Sequence, residues 1–360
     1  MGERILVAMS GGVDSAAAVA LLLGQGASCA GVHLRLFAGE GDETAPPREK
    51  SCCSLSDAED ARSAASRLGI PFYVFNFSAL FEREVVQRFA DGYARGETPN
   101  PCIDCNRFIK FGALAARAAL LGYDAIATGH YARREKDAAG RFLLRKGVDA
   151  QKDQSYVLAF LTQAQLRYTH FPLGDLCKEQ ARAIARQSKL LNAQKRESQD
   201  ICFVPDGDYG AFLERRAGKP FCSGNFVDPQ GNVLGRHRGT VRYTLGQRRG
   251  LGLALPEPGY VCAVCPKNNT VTVGGEDLLF TRELAAREMN WVATEHPRSP
   301  MRCKAKVRYR QAEQWAWAEQ EGESRLRLRF DSPQRAITPG QTVALYEDDY
   351  VLGAGIIDRP

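Results

Sequence analysis

The sequence has no long apolar run: across 360 residues the longest uninterrupted apolar stretch is Ala16 to Leu23. A membrane-crossing helix needs ~20 such residues, so no membrane partner is expected. The N-terminus also lacks a charged region, apolar stretch and cleavage site in series; Ile5-Leu6-Val7 enter a strand at once, which predicts a cytoplasmic protein. No internal repeat or low-complexity tract is present, and 44% hydrophobic with 25% charged residues is an ordinary globular balance. Charge of one sign is scarce too, since 48 Lys plus Arg face 42 Asp plus Glu, leaving only +6. Cysteine, by contrast, is not scarce. Eleven of them, an odd number, in a reducing compartment point to thiols, persulfide carriers or metal ligands rather than a disulfide framework.

Strand and helix patterns alternate through the first ~130 residues, predicting an α/β doubly wound parallel sheet. Beyond Pro205 glycines punctuate short runs of alternating polarity, and the helical pattern largely stops. The expected organisation is a catalytic α/β domain over 1–204, a small β-rich domain over 205–280 and a C-terminal β-barrel over 281–360.

The first strand ends in Ser10-Gly11-Gly12-Val13-Asp14-Ser15 and a helix follows. A glycine turn in that setting exposes backbone N–H groups, which with the helix dipole make an anion site. A Walker A loop would close on Gly-Lys-Ser/Thr, and this loop has no lysine. It carries Asp14, an acid that would face a polyphosphate only with a cation between them, so Mg²⁺ is expected at Asp14. The hexapeptide resembles the PP-loop of the ATP pyrophosphatase superfamily, which implies ATP cleavage to AMP and pyrophosphate.

Cys102 and Cys105 stand at the start of a basic helix in Pro99-Asn100-Pro101-Cys102-Ile103-Asp104-Cys105-Asn106-Arg107-Phe108-Ile109-Lys110-Phe111. The positive helix end, Arg107 and Lys110 all favour thiolate there. Cys202, in Asp200-Ile201-Cys202-Phe203, is a third candidate, because sulfur transfer needs one thiol to hold a persulfide and another to release it. Cys29, Cys177, Cys222 and Cys303 read as packing residues. Cys262-x-x-Cys265 lies in an alternating strand and does not look like a zinc knuckle, and Cys52-Cys53 suggest no mechanism.

With these segments, the chain as a whole resembles the tRNA-specific 2-thiouridylases. The further matching motifs are Ala127-Thr128-Gly129-His130-Tyr131-Ala132, Lys152-Asp153-Gln154-Ser155-Tyr156 and Tyr243-Thr244-Leu245-Gly246-Gln247-Arg248-Arg249-Gly250-Leu251. The resemblance implies ATP-dependent 2-thiolation of the wobble uridine of tRNAs for lysine, glutamate and glutamine, with sulfur from a cysteine desulfurase or a relay protein. It implies Cys105 as nucleophile and Cys202 as persulfide carrier, joined transiently as a disulfide. ATP contacts are implied for Ala8, Met9, Ser10, Gly11, Gly12, Val13, Asp14, Ser15, Leu34 and Gly129. Base or tRNA contacts are implied for Asn100, Pro101, Cys102, His130, Lys152, Asp153, Gln154, Arg308, Tyr309 and Gln341. Many relatives carry Asp where this chain has Cys102, so the nucleophile lies between Cys102 and Cys105. The three thiols could also hold a 4Fe-4S cluster with one open iron.

Arg302, Lys304, Lys306, Arg308 and Arg310 alternate with Cys303, Ala305, Val307 and Tyr309, so a strand would put five cations on one face. Arg325, Arg327 and Arg329 repeat the pattern. This stripe reads as a phosphate-contacting face, while Trp315 and Trp317 read as core. Two other readings stand at this point: an amide-forming ligase using the same loop on a small carboxylate, and a non-catalytic tRNA-binding protein.

Overall fold

The computed structural model describes residues 2–37, 55–190, 201–204 and 206–359. Cys52, Cys53 and the Ser198–Asp200 lead-in to Cys202 lie outside the described residues. Among the described residues no helix is long and apolar enough to cross a membrane.

The first part of the chain builds a five-stranded parallel sheet from β1 (Arg4–Ala8), β2 (Ser28–Arg35), β3 (Phe72–Asn76), β4 (Ala125–Ala127) and β7 (Thr169–His170), in the order β3-β2-β1-β4-β7. Between β4 and β7 lies a hairpin, β5 (Ala132–Lys136) and β6 (Phe142–Lys146). The helices are α1 (Val13–Gly24), α2 (Leu55–Arg67), α3 (78–94), α4 (101–120), the short α5 (Ser155–Leu158) and α6 (Gln163–Arg167), and α7 (Lys178–Gln187). Alternation along β1 sends Ile5 and Val7 into a core with α1 and α2, and Leu6 into a second core with α3 and α4. Both faces of the strand are therefore covered, as its continuous apolar run requires. The chain moves from β1 outward through β2 and β3, then returns to β4 on the other side. The gap beyond the ends of β1 and β4 is thus a topological switch point, where such sheets bind ligands.

After α8 (Tyr209–Ala217), β8 (Gly224–Val227), β9 (Val233–His237), β10 (Tyr260–Cys265) and β11 (Thr270–Gly274) form a four-stranded sheet around Phe226, Val261 and Val271. The last six strands are β12 (Phe280–Trp291), β13 (Met301–Lys306), β14 (Gln314–Glu321), β15 (Arg325–Arg335), β16 (Thr342–Glu347) and β17 (Tyr350–Ile357). They pair antiparallel in the order β12-β15-β14-β13-β16-β17, and β17 returns to β12 to close a barrel. Closure leaves a narrow interior, filled by small and branched side chains such as Ala305, Ala316, Ala318, Leu328 and Val343.

Two expectations fail at the barrel. Trp315 and Trp317 are 48% and 51% exposed, not core, because the buried set on β14 is the alternate one, Ala316 and Ala318. The five-cation strand also ends early: β13 stops at Lys306, and the chain turns through 307–310. Arg302 pairs with both oxygens of Asp331, at 2.7 Å for Oδ1, and lies over the rings of Trp315 and Trp317 at 5.0 and 5.5 Å. Arg327 meets Glu321 at 2.8 Å. The stripe is an interleaved ion-pair and aromatic surface rather than a bare row of cations.

The hairpin β5–β6 is a link that the strand-helix alternation does not reveal. It adds to the barrel sheet through Tyr350 opposite Arg145, and Arg133 and Arg145 both clasp Asp349, at 2.6 and 2.8 Å. Lys146 adds an ion pair to Glu313 at 2.7 Å.

Candidate active site

The loop Ser10–Ser15 occupies the switch point. Gly11 takes φ +75°, a conformation that side chains disfavour, and a Cβ there would stand 2.4 Å from the Asp57 carbonyl. The Ser15 hydroxyl donates to the Gly12 carbonyl at 3.0 Å, and Gly12, the N-cap residue of α1, supplies no side-chain cap. Gly129, just past β4, lies flush on the loop: a Cβ would be 2.8 Å from the Asp14 carbonyl carbon and the Ser15 nitrogen. The two ends of the switch point therefore touch backbone to backbone. Met9 and Leu34 are buried beneath the loop, and Ala8 is half-buried.

Asp14 is engaged on both oxygens. Lys178 Nζ donates to each of them, at 2.7 and 2.8 Å, and the Tyr131 hydroxyl donates to Oδ1 at 2.8 Å. In this arrangement the Lys178 ammonium and the Tyr131 hydroxyl are the partners of Asp14. The Lys152–Gln154 motif supports this network. The Gln154 amide oxygen accepts from Tyr131 N–H at 2.9 Å, and Gln154 N–H donates to the Tyr131 carbonyl at 2.9 Å. Asp153 accepts from Gly147 N–H, Ser155 N–H and the Ser155 hydroxyl. Asp153 and Gln154 thus hold the loop's surroundings together. His130 packs against Phe111 and Phe171 and hydrogen-bonds Thr128 at 2.8 Å. Burial, with Lys110 nearby, holds its imidazole well below the usual pKa, so it is neutral at pH 7.

The cysteine helix starts at Pro101, so Cys102 and Cys105 stand in its first two turns. Asn100 is its N-cap, accepting from Cys102 N–H at 3.1 Å, and Pro101 sits at the first helical position. Cys102 is exposed in the first turn, and Cys105 is 8% exposed one turn on, where residues Cys105–Ala113 adopt wide π-type turns. Such segments recur at functional sites. Arg107 is engaged elsewhere, with Glu288 at 3.5 Å and over Phe160.

Helix α3 ties the two cysteine segments together. Its Arg88 reaches Asp104, the neighbour of Cys105, at 3.3 Å. The next residue, Phe89, packs edge-on against Phe203, the neighbour of Cys202, at 5.3 Å. Cys105 is buried in, and Cys202 packs against, the same apolar core. Among the described residues no three His, Cys, Asp or Glu side chains are arranged to hold a metal. Cys29 and Cys303 are buried, which pushes their thiols up to about 11 and about 12, as packing residues should be. Cys222 is exposed and Cys177 half-buried at the start of α7, so those two are not core.

The barrel fastens the cysteine loop. Thr98 N–H donates to the Pro339 carbonyl at 2.8 Å, and Gln341 Nε2 donates to the Thr98 carbonyl at 2.5 Å. Gly340 fits so closely that a Cβ would stand 2.7 Å from Glu97 Cβ. Arg308 turns inward from the end of β13 to the Ala336 carbonyl and the Thr338 hydroxyl, at 2.8 and 2.9 Å. Tyr309 lies beside Tyr156, with ring centres 6.1 Å apart. Asn100, Arg308, Tyr309 and Gln341, separated by up to 241 positions in sequence, thereby gather at one junction. Sequence reasoning missed Lys178, Tyr131 and Thr98; the signal it could have used is that Asp14 requires a counter-charge the loop itself does not supply.

Such an architecture, a glycine loop at the switch point of a parallel sheet with a cysteine helix beside it and two β modules behind, defines a nucleotide-binding, thiol-bearing enzyme class. The chain matches the family model for the tRNA methyl transferase HUP domain over residues 3–206, its PRC-barrel domain over 210–275, and the aminomethyltransferase beta-barrel domain over 281–357. It is 51% identical to the tRNA-specific 2-thiouridylase MnmA of Moorella thermoacetica, covering 98% of this chain and 99% of that protein. It is 47% identical to that of Acetivibrio thermocellus, over 99% of each. The chain belongs to the tRNA-specific 2-thiouridylase family.

Because Cys102 is exposed at the positive end of α4, a carboxylate is equally at home there. Cys102→Asp is expected to keep thiolation within about threefold. A loss comparable to removal of Cys105 would instead make Cys102 part of the sulfur chemistry.

Proposed function

We propose that this protein replaces the C2 oxygen of the wobble uridine of tRNA with sulfur, at the expense of ATP. ATP, bound at the Ser10–Ser15 loop as its Mg²⁺ complex, adenylates the C2 oxygen and releases pyrophosphate. The terminal sulfur of a persulfide on Cys202 replaces the adenylated oxygen, which leaves as AMP. Cys105 thiolate attacks the Cys202 sulfur, breaking the S–S bond to the transferred sulfur and leaving a Cys105–Cys202 disulfide that a thiol reductant reopens. The target base must leave its stack to reach this chemistry, which puts it at the junction of Asn100, Pro101, Arg308, Tyr309 and Gln341. The persulfide comes from a cysteine desulfurase or a relay protein, and tRNAs for lysine, glutamate and glutamine are the substrates implied by the family.

The observation that carries this reading is the pairing of both cysteine segments on adjacent residues of one helix, Arg88 with Asp104 and Phe89 with Phe203. An amide-forming ligase has no use for that arrangement. The test is to incubate the protein with ATP, Mg²⁺, a persulfide donor and unmodified tRNA, and to digest the RNA for mass spectrometry. One 2-thiouridine per tRNA, with matching AMP release, is the expected result. AMP release without tRNA, coupled to a small carboxylate, would point to the ligase instead.

A further inference from the structure

The phosphate loop lacks the lysine that glycine-rich phosphate loops commonly carry, and its one charged residue is an acid. A polyphosphate at a loop carrying an uncompensated carboxylate would be repelled. The compensating charge is present, but comes from 164 positions away: Lys178 Nζ, on the first turn of α7, grips both oxygens of Asp14. The residue is only 6% exposed, whereas lysine is almost never buried without a partner. Its backbone is fixed as well. Lys178 N–H donates to Asp149 Oδ2 at 3.0 Å, and Cys177 N–H donates to the Gln180 side chain at 2.8 Å, so the start of α7 is pinned at its base. The Tyr131 hydroxyl is the other donor to Asp14, and Gln154 holds the Tyr131 backbone through its N–H and carbonyl.

We propose that Lys178 is the loop's lysine supplied from another helix. It neutralises Asp14 as seen here and shifts its ammonium to the pyrophosphate part of ATP when the nucleotide binds. The lysine meets Asp14 in the first turn of α1, the end of a helix that favours anions. Asp14 acts as a holding partner that keeps the ammonium in place between turnovers, with Tyr131 retaining the carboxylate when Lys178 leaves it. An ammonium serves as a mobile point charge here, which a planar guanidinium does less well. This inference rests on ATP binding at the loop and deepens that reading.

The test measures binding of ATP, AMP and inorganic pyrophosphate to the full-length protein by calorimetry, with Mg²⁺ present, for the native chain and for Lys178→Met, Lys178→Gln and Lys178→Arg. Lys178→Met is expected to weaken ATP and pyrophosphate about 10- to 100-fold, the scale of one lost charge-assisted hydrogen bond, while AMP stays within about threefold. Lys178→Gln, which can still hydrogen-bond Asp14, keeps the fold should Lys178→Met not, and shows the same selective loss. Lys178→Arg recovers part of it. Equal weakening of ATP and AMP would reduce Lys178 to a structural clamp on Asp14, and unchanged ATP binding in a folded variant would also overturn the proposal. Failure of the native chain to bind ATP would sink the functional reading itself, a distinguishable result.

Discussion

Cys105→Ala is expected to abolish 2-thiouridine formation, by at least about 10³-fold, while a single round of tRNA-dependent AMP release persists. A loss of that size is characteristic of removing a group that acts in covalent chemistry, because no other residue can take over the bond it makes. It cannot be explained by packing. Cys105 is small, and its replacement by alanine removes a single sulfur from a site 8% exposed, a change worth about 1 kcal/mol, or less than tenfold even if all of it reached the transition state. The two steps separate because adenylation of the base precedes sulfur transfer and needs only the loop and tRNA. The variant has a second signature. With Cys202 loaded by a persulfide donor, the native chain turns over to a Cys105–Cys202 disulfide, two hydrogen atoms lighter than the reduced chain under non-reducing conditions, whereas Cys105→Ala stalls after one AMP release with tRNA joined to Cys202 through a reducible S–S bond. Cys202→Ser should be equally inactive yet accept no sulfur at that position. Full thiolation by Cys105→Ala would move the nucleophile to Cys102, three positions earlier and more exposed.

Gly129→Ala carries the second large effect. The added carbon would lie 2.8 Å from two backbone atoms of Asp14 and Ser15 and 3.1 Å from Asp14 Cβ. Backbone cannot rotate away as a flexible side chain can, so the start of α1 must move. Overpacking of this kind costs about 1–3 kcal/mol, which for a domain of this size lowers Tm by roughly 2–12 °C. The functional loss is expected to exceed the stability loss, about 100-fold in kcat/KM for ATP, because a misplacement of ~1 Å at a catalytic loop is worth that much. Gly24→Ala, at the far end of the same helix, is the control. Nothing lies within 4 Å of its Cβ position, and alanine favours the helix by up to ~1 kcal/mol. Equal tolerance of alanine at both positions would show that Gly129 does not set the loop.

Much of this was legible in the chain itself. The alternation of strand and helix, the glycine loop after β1 and the α7 helix over Lys178–Gln187 all follow from local pattern, because each is specified within about a dozen residues. What was not legible depends on pairs far apart. Nothing in Ser10–Ser15 names Lys178 as its counter-charge, and nothing in Ala132–Lys146 shows that this hairpin joins strands more than 200 residues later. Trp315 and Trp317 failed for another reason. Parity assigned them correctly to one face, but which face is buried depends on barrel width, and a six-stranded barrel takes Ala316 and Ala318 inside and leaves indoles out. Cation–aromatic spacing across β13 and β14, with Arg302 opposite Trp317, was the available clue.

The hold of Gln341 on Thr98 has a meaning in time as well as in space. Those residues are 243 positions apart, and at a synthesis rate of about 5–20 residues per second the ribosome needs on the order of 10–50 s to deliver one after the other. Once Cys202 has emerged within that interval, the nucleotide loop and both cysteine segments exist, yet the residue that fastens Thr98 has not been made. A nascent or prematurely released chain would therefore carry reactive thiols on an unfastened loop, and the enzyme becomes competent only as its last two strands close the barrel.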